Sequence, residues 1–141
     1  MRRRPLVLLL CALALVACGG DDDNGNGNGN GGDDPEQGEG PTSGATADAK
    51  SDARNVVSHI ETCYANEQDY TPCGEPAQLR GAQVSLGTGE GQVEVTTESD
   101  SYTVISRAEG GGEFTLERDS TGMTERTCAP PDVPGCNGGS W

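Results

Sequence analysis

The sequence predicts an α+β fold in which an N-terminal helix packs on a three- to four-stranded antiparallel sheet, preceded by a disordered tether. The prediction rests on a change in the spacing of apolar residues along the sequence. Between residues 46 and 67 apolar residues recur every three or four positions, as in a helix with one buried stripe. From residue 92 the period falls to two, which is typical of strands with one buried face.

The helix is predicted over residues 46–67. Its apolar stripe consists of Ala49, Ala53, Val56, Val57, Ile60 and Tyr64. Thr46 or Asp48 is the predicted N-cap, because a side-chain oxygen there can accept a hydrogen bond from an unpaired backbone N–H of the first turn. Pro72 follows the helical pattern and breaks it, since proline has no N–H to donate.

Three strands, with a candidate for a fourth at 123–128, are predicted after a connection that runs from Gly74 to about Gly91. The alternating segments are 92–97, 102–107, 113–117 and 123–128. Turns rich in Gly, Asp and Ser separate them, as in an antiparallel meander. In the third segment Phe114 and Leu116 are expected to face the helix, because the helix stripe and one sheet face must bury each other.

The N-terminus combines three arginines, a short apolar run and a cysteine. Arginines occupy positions 2–4, apolar residues fill 6–16, and Leu15-Val16-Ala17-Cys18 ends the run. This segment resembles the lipobox of a bacterial lipoprotein signal peptide. The resemblance implies export, removal of residues 1–17, and a diacylglyceryl group on Cys18, often with a further acyl chain such as palmitate. An ordinary secretory signal using Ala12-Leu13-Ala14 is the alternative; a spanning helix would need about 20 apolar residues.

Residues 18–45 carry the lipidated cysteine and then an acidic linker of Gly, Asn and Asp. Residues that could bury apolar surface are nearly absent, so the linker is predicted to be disordered, with a reach of about 25–30 Å. Asp22, Asn24, Asn26 and Asp33 match part of a calcium-loop pattern. No helix flanks this pattern and its last position lacks the usual Glu, so a solvated spacer without metal is the preferred interpretation.

Charge excludes some classes of partner. The formal net charge is −14, and removal of residues 1–17, which hold three arginines and no acid, makes it −17. The remaining lysine and arginines form no cluster along the sequence, so we expect no nucleic-acid binding. Residues 46–141 are enough for one small domain.

Four cysteines lie in the predicted domain: Cys63, Cys73, Cys128 and Cys136. An exported protein meets oxidising conditions, so two disulfides are expected, although the sequence allows three pairings. Short loops that contain Pro or Gly favour Cys63–Cys73 and Cys128–Cys136. A zinc site is not expected, because there is no Cys-x-x-Cys pair and His59 is the single histidine.

No set of catalytic residues is recognisable, so the chain is not expected to be an enzyme. His59 lies on the polar helix face, and no nucleophile motif accompanies it. The glycine-rich segment 87–91 lacks the preceding strand of a phosphate loop. Glu113, Glu117 and Glu125 are expected on a solvated sheet face. Trp141 is expected to pack against the domain, with an exposed sugar-binding platform as the alternative.

The order of these parts resembles the globular head of a type IV pilin or pseudopilin. The residues that carry the resemblance are AKSDARNVVSHIETCYANEQDY at 49–70, SYTV at 101–104, GEFTL at 112–116 and the Cys128–Cys136 region up to Trp141. In pilins a similar segment is the second half of the long first helix, and a disulfide loop closes many heads. The first, apolar half of that helix has no counterpart here, which puts polymerisation in doubt.

These observations predict a lipid-anchored protein without cofactors on the extracytoplasmic side of the cell membrane. Cys18 is its predicted membrane attachment, and the pilin-like head is expected to contact another envelope protein, with a pilus or secretion apparatus as one candidate. The alternative function is surface binding of a glycan or a cation by the sheet face and the Cys128–Cys136 loop.

Overall fold

A computed structural model describes residues 40–141, which form one helix packed on a four-stranded antiparallel sheet. This confirms the α+β prediction and selects four strands from the predicted three to four. Within these residues no helix is both long enough and apolar enough to cross a membrane.

Helix α1 spans Ser43–Glu67 and begins three residues earlier than predicted. Its N-cap is Thr42, whose side chain accepts a hydrogen bond from the Ala45 N–H at 3.1 Å. The predicted caps, Thr46 and Asp48, were therefore wrong. Thr46 is buried inside the helix, and its hydroxyl donates back to the Ser43 carbonyl at 3.1 Å.

Helix α1 ends where Gln68 adopts a left-handed conformation with φ 56°, and the Gln68 N–H donates to the Tyr64 carbonyl at 2.8 Å. Three short elements come next, for which the sequence pattern offered no prediction. They are a 3₁₀ helix at Thr71–Gly74, helix α2 at Pro76–Leu79 and a second 3₁₀ helix at Arg80–Ala82. Leu79 and Ala82 are buried against the core, so this connection forms part of the packed domain.

The sheet is a meander in which neighbours in sequence are neighbours in space. Its strands are β1 (Val93–Thr97), β2 (Tyr102–Arg107), β3 (Glu113–Arg118) and β4 (Thr124–Ala129), in the order β1-β2-β3-β4. All pairs are antiparallel, with Val95 opposite Val104 and Leu116 opposite Arg126. As predicted, Phe114 and Leu116 are buried, at 0% and 2% exposure.

The core lies between α1 and one face of the sheet. Its larger cluster holds Ala53, Val56, Ile60, Cys63, Tyr70, Cys73, Leu79, Ala82, Val93, Tyr102, Val104 and Leu116, and its smaller cluster holds Ala49, Ala108, Phe114, Cys128 and Val133. The predicted helix stripe is largely buried, although Val57 and Tyr64 are only partly covered. Thr46 and Cys63 complete the buried face of α1.

The chain enters this domain at one end. Pro41, just before α1, lies beside Gly112 in the β2–β3 turn and near Val133 in the C-terminal loop, since a Cβ at Gly112 would be 3.5 Å from both. Gly112 has φ +92°, which favours glycine at this turn. The 25 residues of α1 extend about 37 Å, so the Cys63 end of the helix lies far from the entry point.

Candidate functional surface

Two disulfides cross-link the domain, one near each end. Cys63, near the end of α1, is bonded to Cys73 in the first 3₁₀ helix, with Cα atoms 5.6 Å apart. Cys128, in β4, is bonded to Cys136 in the C-terminal loop, with Cα atoms 5.8 Å apart. Of the three pairings that the sequence allows, the structure has the two short-loop bridges. No thiol of these four residues is therefore available as a nucleophile or a metal ligand.

The predicted lipidation site and the calcium-like pattern lie outside the described residues. Cys18, and the segment from Asp22 to Asp33, fall within residues 1–39. Among residues 40–141 no group of three or more His, Cys, Asp or Glu side chains is arranged to hold a metal ion.

Trp141, the last residue, packs into the flank between α1 and β4. Its indole N–H donates to the Thr115 carbonyl at 3.1 Å, and its ring meets Phe114 edge-on with centroids 5.9 Å apart. The guanidinium carbons of Arg54, on α1, and Arg126, on β4, lie 5.2 and 5.4 Å from the centroid of the indole ring. These contacts already engage the indole, so the open sugar-stacking platform is not favoured.

A polar cluster that the sequence analysis missed joins α1 to the sheet. Glu61 accepts hydrogen bonds from the hydroxyls of Tyr70, at 3.1 and 3.2 Å, and Tyr102, at 2.9 Å. Burial of each ring, and then the hydrogen bond to Glu61, raises the pKa of both Tyr70 and Tyr102. Arg118 lies beside the carboxylate, 4.0 Å away. Through these hydrogen bonds the cluster joins α1, the segment that follows it and β2.

The side chain of His59 is half-buried, whereas the helix pattern predicted that it would be solvated. Its imidazole lies directly over the backbone of Gly81, where even a Cβ would collide with the ring. Asn55, Ser58 and Gln83 line the adjacent pocket, whose volume is about 220 Å³. Within residues 40–141 His59 forms no hydrogen bond to a hydroxyl or a carboxylate, and Ser58, the hydroxyl of this pocket, is its neighbour in the chain.

The outer sheet face carries the glutamates expected there. Glu113 binds Arg107 at 2.8 Å, and the same guanidinium binds Glu94 at 2.9 Å. The hydrogen bond to Glu94, more than any other contact, raises the pKa of Arg107. Glu117 and Glu125 lie directly opposite each other and are exposed. The face therefore combines one neutralised arginine with a pair of solvated carboxylates.

The glycine-rich segment before β1 is a turn. The Gly87 N–H donates to the Val93 carbonyl at 3.0 Å, and the Gly89 N–H donates to the Gln92 side chain at 2.8 Å. Because these donors are used within the domain, the segment does not form a phosphate cradle.

Comparison with protein-family models, curated proteins and solved structures finds no match to this chain. Its function is therefore inferred from the arrangement of its own side chains.

Proposed function

We propose that this chain is a lipid-anchored envelope protein without enzymatic activity, which presents a pilin-like head for contact with another protein. In this proposal the lipid on Cys18 attaches the protein to the extracytoplasmic side of the cell membrane. A pilus or secretion apparatus is the candidate partner.

The observation that carries the proposal is the position of the chain entry. The acidic linker predicted from the sequence leads to Pro41, which packs at one end of the domain against Gly112 and the C-terminal loop. The flanks of the sheet and helix, and the far end about 37 Å away along α1, are then presented to a partner. A short domain with two disulfides, which the linker enters at one end, suits display on a stalk.

The acidic sequence before the domain argues against a subunit that builds filaments by itself. In pilins the head continues from an apolar helical half that packs the filament interior, whereas here an acidic tract precedes Thr42. Charged, glycine-rich sequence cannot supply that apolar packing. We therefore propose a partner of such an assembly and not its repeating subunit.

Mass spectrometry of the protein purified from its native membrane without reduction tests the anchor. The expected result is an N-terminal Cys18 that carries a diacylglyceryl group, with peptides joined at Cys63–Cys73 and Cys128–Cys136. In cell fractionation the Cys18→Ser variant is expected to leave the membrane fraction. An unmodified N-terminus at another residue would overturn the anchor.

Chemical cross-linking in intact cells, followed by purification of the protein, tests the interaction. Components of a pilus or secretion apparatus are expected to be enriched over a strain that carries only residues 1–45 fused to an unrelated soluble domain. Equal enrichment in both strains would contradict a role for the head.

A hydrolytic activity that His59→Ala abolishes in a folded protein would contradict the absence of catalysis.

A further inference from the structure

Half of the lysine and arginine side chains of residues 40–141 lie on one flank of the domain. Lys50 and Arg54, one turn apart on α1, face the same flank as Arg126 on β4, and Trp141 lies among them. The Lys50 ammonium is 5.6 Å from the centroid of Phe114, against which the indole packs. We call Lys50, Arg54, Arg126 and Trp141 the cationic flank.

The charges of the cationic flank have no acidic partner within residues 40–141. Arg54 and Arg126 are exposed and form no ion pair with any residue from 40 to 141. By contrast, Arg107 is bound by two glutamates, and Arg118 lies beside Glu61. Among the described residues the Lys50 ammonium donates only to the Gly135 carbonyl, at 3.4 Å. These residues contain 16 acids and 6 bases, a formal charge of −10. Arg80 also forms no ion pair within residues 40–141, so the distinctive feature of the flank is that three such cations lie together in so acidic a domain.

The indole holds the two guanidinium groups near each other. Both guanidinium carbons lie within 5.4 Å of the same ring, so they are at most about 11 Å apart. Trp141 is itself fixed by its hydrogen bond to the Thr115 carbonyl and by Phe114. An arginine held in a cation–π contact with a fixed ring loses less conformational freedom when it binds a carboxylate, which it can do with two parallel hydrogen bonds.

We propose that the cationic flank binds an acidic segment of a partner protein, with Arg54 and Arg126 each pairing with one carboxylate. Alternate residues of an extended segment are about 7 Å apart, a spacing that two guanidinium groups around one indole can match. Lys50 adds a third positive charge beside the pair. This assignment rests on the proposed role in protein–protein contact and names the chemistry of the partner.

Charge favours a short acidic segment over a long polyanion or an anionic membrane. A polymer or a lipid surface also approaches the rest of the domain, whose net negative charge repels it. A short segment contacts only the flank, where the three cations are. Tryptophan and arginine are also the residues most often responsible for binding energy at protein interfaces.

Trp141 is the single tryptophan of the chain, so its fluorescence reports directly on the flank. The experiment titrates the full chain, in detergent, with a synthetic peptide of alternating aspartate and threonine and follows both the emission and the heat of binding. Saturable binding that weakens as salt is added is expected. The double variant Arg54→Gln/Arg126→Gln is expected to bind about tenfold more weakly or worse.

Two further variants separate charge, geometry and non-specific attraction. Arg80→Gln removes one exposed positive charge elsewhere and is expected to bind as the unmodified chain does. Arg54→Lys/Arg126→Lys keeps the charge but loses the two-pronged geometry, so intermediate affinity is expected. Circular dichroism checks that each variant is folded, and calorimetry reports binding even where the emission of Trp141 has changed.

Three results of the titration would overturn the proposal. They are no binding of the peptide, equal binding by the Arg54→Gln/Arg126→Gln variant, and tighter binding of polygalacturonate or of anionic lipid vesicles than of the peptide. Cross-linked partners that persist in the double variant would leave the proposed function intact and reject only the surface. Failure of the unmodified chain to enrich such partners, together with a normal peptide titration, would reject the proposed function and leave the surface intact.

Discussion

The hydroxyl of Tyr102 donates a hydrogen bond to the carboxylate of Glu61 at 2.9 Å, which ties strand β2 to helix α1 across 41 residues of sequence. Tyr70 donates to the same carboxylate from the segment after the helix. Tyr70 and Tyr102 are 1% and 3% exposed, so each buried hydroxyl depends on this acceptor. Glu61 thus connects three parts of the domain.

Replacing Tyr102 by Phe is expected to lower the free energy of unfolding by about 1–2 kcal/mol, because it removes a hydrogen bond to a charged acceptor while keeping the ring. Urea unfolding followed by circular dichroism measures the change. Tyr64→Phe is the matched control, since the Tyr64 ring stacks on Tyr70 at 4.0 Å and the substitution keeps that stacking. Equal losses in the two variants would contradict the role of the Glu61 hydrogen bond.

High pH is expected to destabilise the domain through Tyr102. Burial, and then the hydrogen bond to Glu61, raises the pKa of Tyr102 above its ordinary value of 10.0. Its contribution to stability is therefore complete below pH 10.0 and is lost as the pH rises through the pKa of the folded state. Urea unfolding at increasing pH measures the loss, which is expected to be smaller in Tyr102→Phe. Identical alkaline profiles for both proteins would contradict this prediction.

The sequence contains the periods that place α1 and the four strands, because each buried face repeats locally. The start of α1 was missed, since Thr42, Thr46 and Asp48 all have a capping side chain. The burial of Thr46 in the core places it inside the helix, and this packing, which the sequence does not show, selects Thr42 as the N-cap. The short elements of the connection after Cys73 have no repeating pattern, and their burial depends on contacts with α1.

The side-chain clusters could not be read from the sequence, because they depend on register. Arg126 lies 72 residues beyond Arg54 in the chain, and the pairing of β4 with β3 together with the path of the C-terminal tail brings both to Trp141. In the sequence the positive residues are scattered, which led to the expectation that no basic cluster exists. That expectation holds for the sequence but not for the flank of the folded domain.

Removing either disulfide is expected to destabilise the domain, because the bridge restricts the conformations of the unfolded chain. Each bridge closes a short loop, so the expected loss is about 2–3 kcal/mol, at the lower end of the usual range. Cys63→Ala/Cys73→Ala is expected to cost more than Cys128→Ala/Cys136→Ala. Cys63 and Cys73 are both buried, whereas Cys136 is partly exposed, so the first pair also loses packing. Denaturant unfolding of both variants measures the difference. A larger loss for the Cys128–Cys136 pair would contradict this order, and reduction of the unmodified protein serves as the control for both.

Alanine at Gly81 is expected to displace the His59 ring, which occupies the space of a Cβ. Gly81→Ala is predicted to lower the free energy of unfolding by about 0.5–1 kcal/mol, because the half-buried imidazole must leave its preferred rotamer. In a His59→Ala background the same substitution is expected to cost much less, since the obstructing ring is gone. A double-mutant cycle in urea measures this coupling. If Gly81→Ala costs the same in both backgrounds, the contact does not determine the choice of glycine.

Asp119 organises the β3–β4 turn, and its protonation is expected to weaken that turn. One carboxylate oxygen accepts from the Thr121 hydroxyl at 2.7 Å and from the Thr121 and Met123 N–H groups at 2.9 Å. These bonds, led by the Thr121 hydroxyl, lower the pKa of Asp119 below its ordinary value of 3.8. The stabilisation is therefore present above pH 3.8 and is lost as the pH falls through the pKa of the folded state.

The difference in unfolding free energy between the unmodified chain and Asp119→Asn is therefore expected to be clear at neutral pH and to shrink in acid. Once Asp119 is protonated, the unmodified chain also lacks the charged acceptor, so the two proteins become alike. Urea titrations over a range of acidic pH measure the difference, with Asp100→Asn, in the β1–β2 turn, as a matched control for removal of one negative charge. A difference that does not change with pH would show that the turn depends on the shape of the side chain and not on its charge.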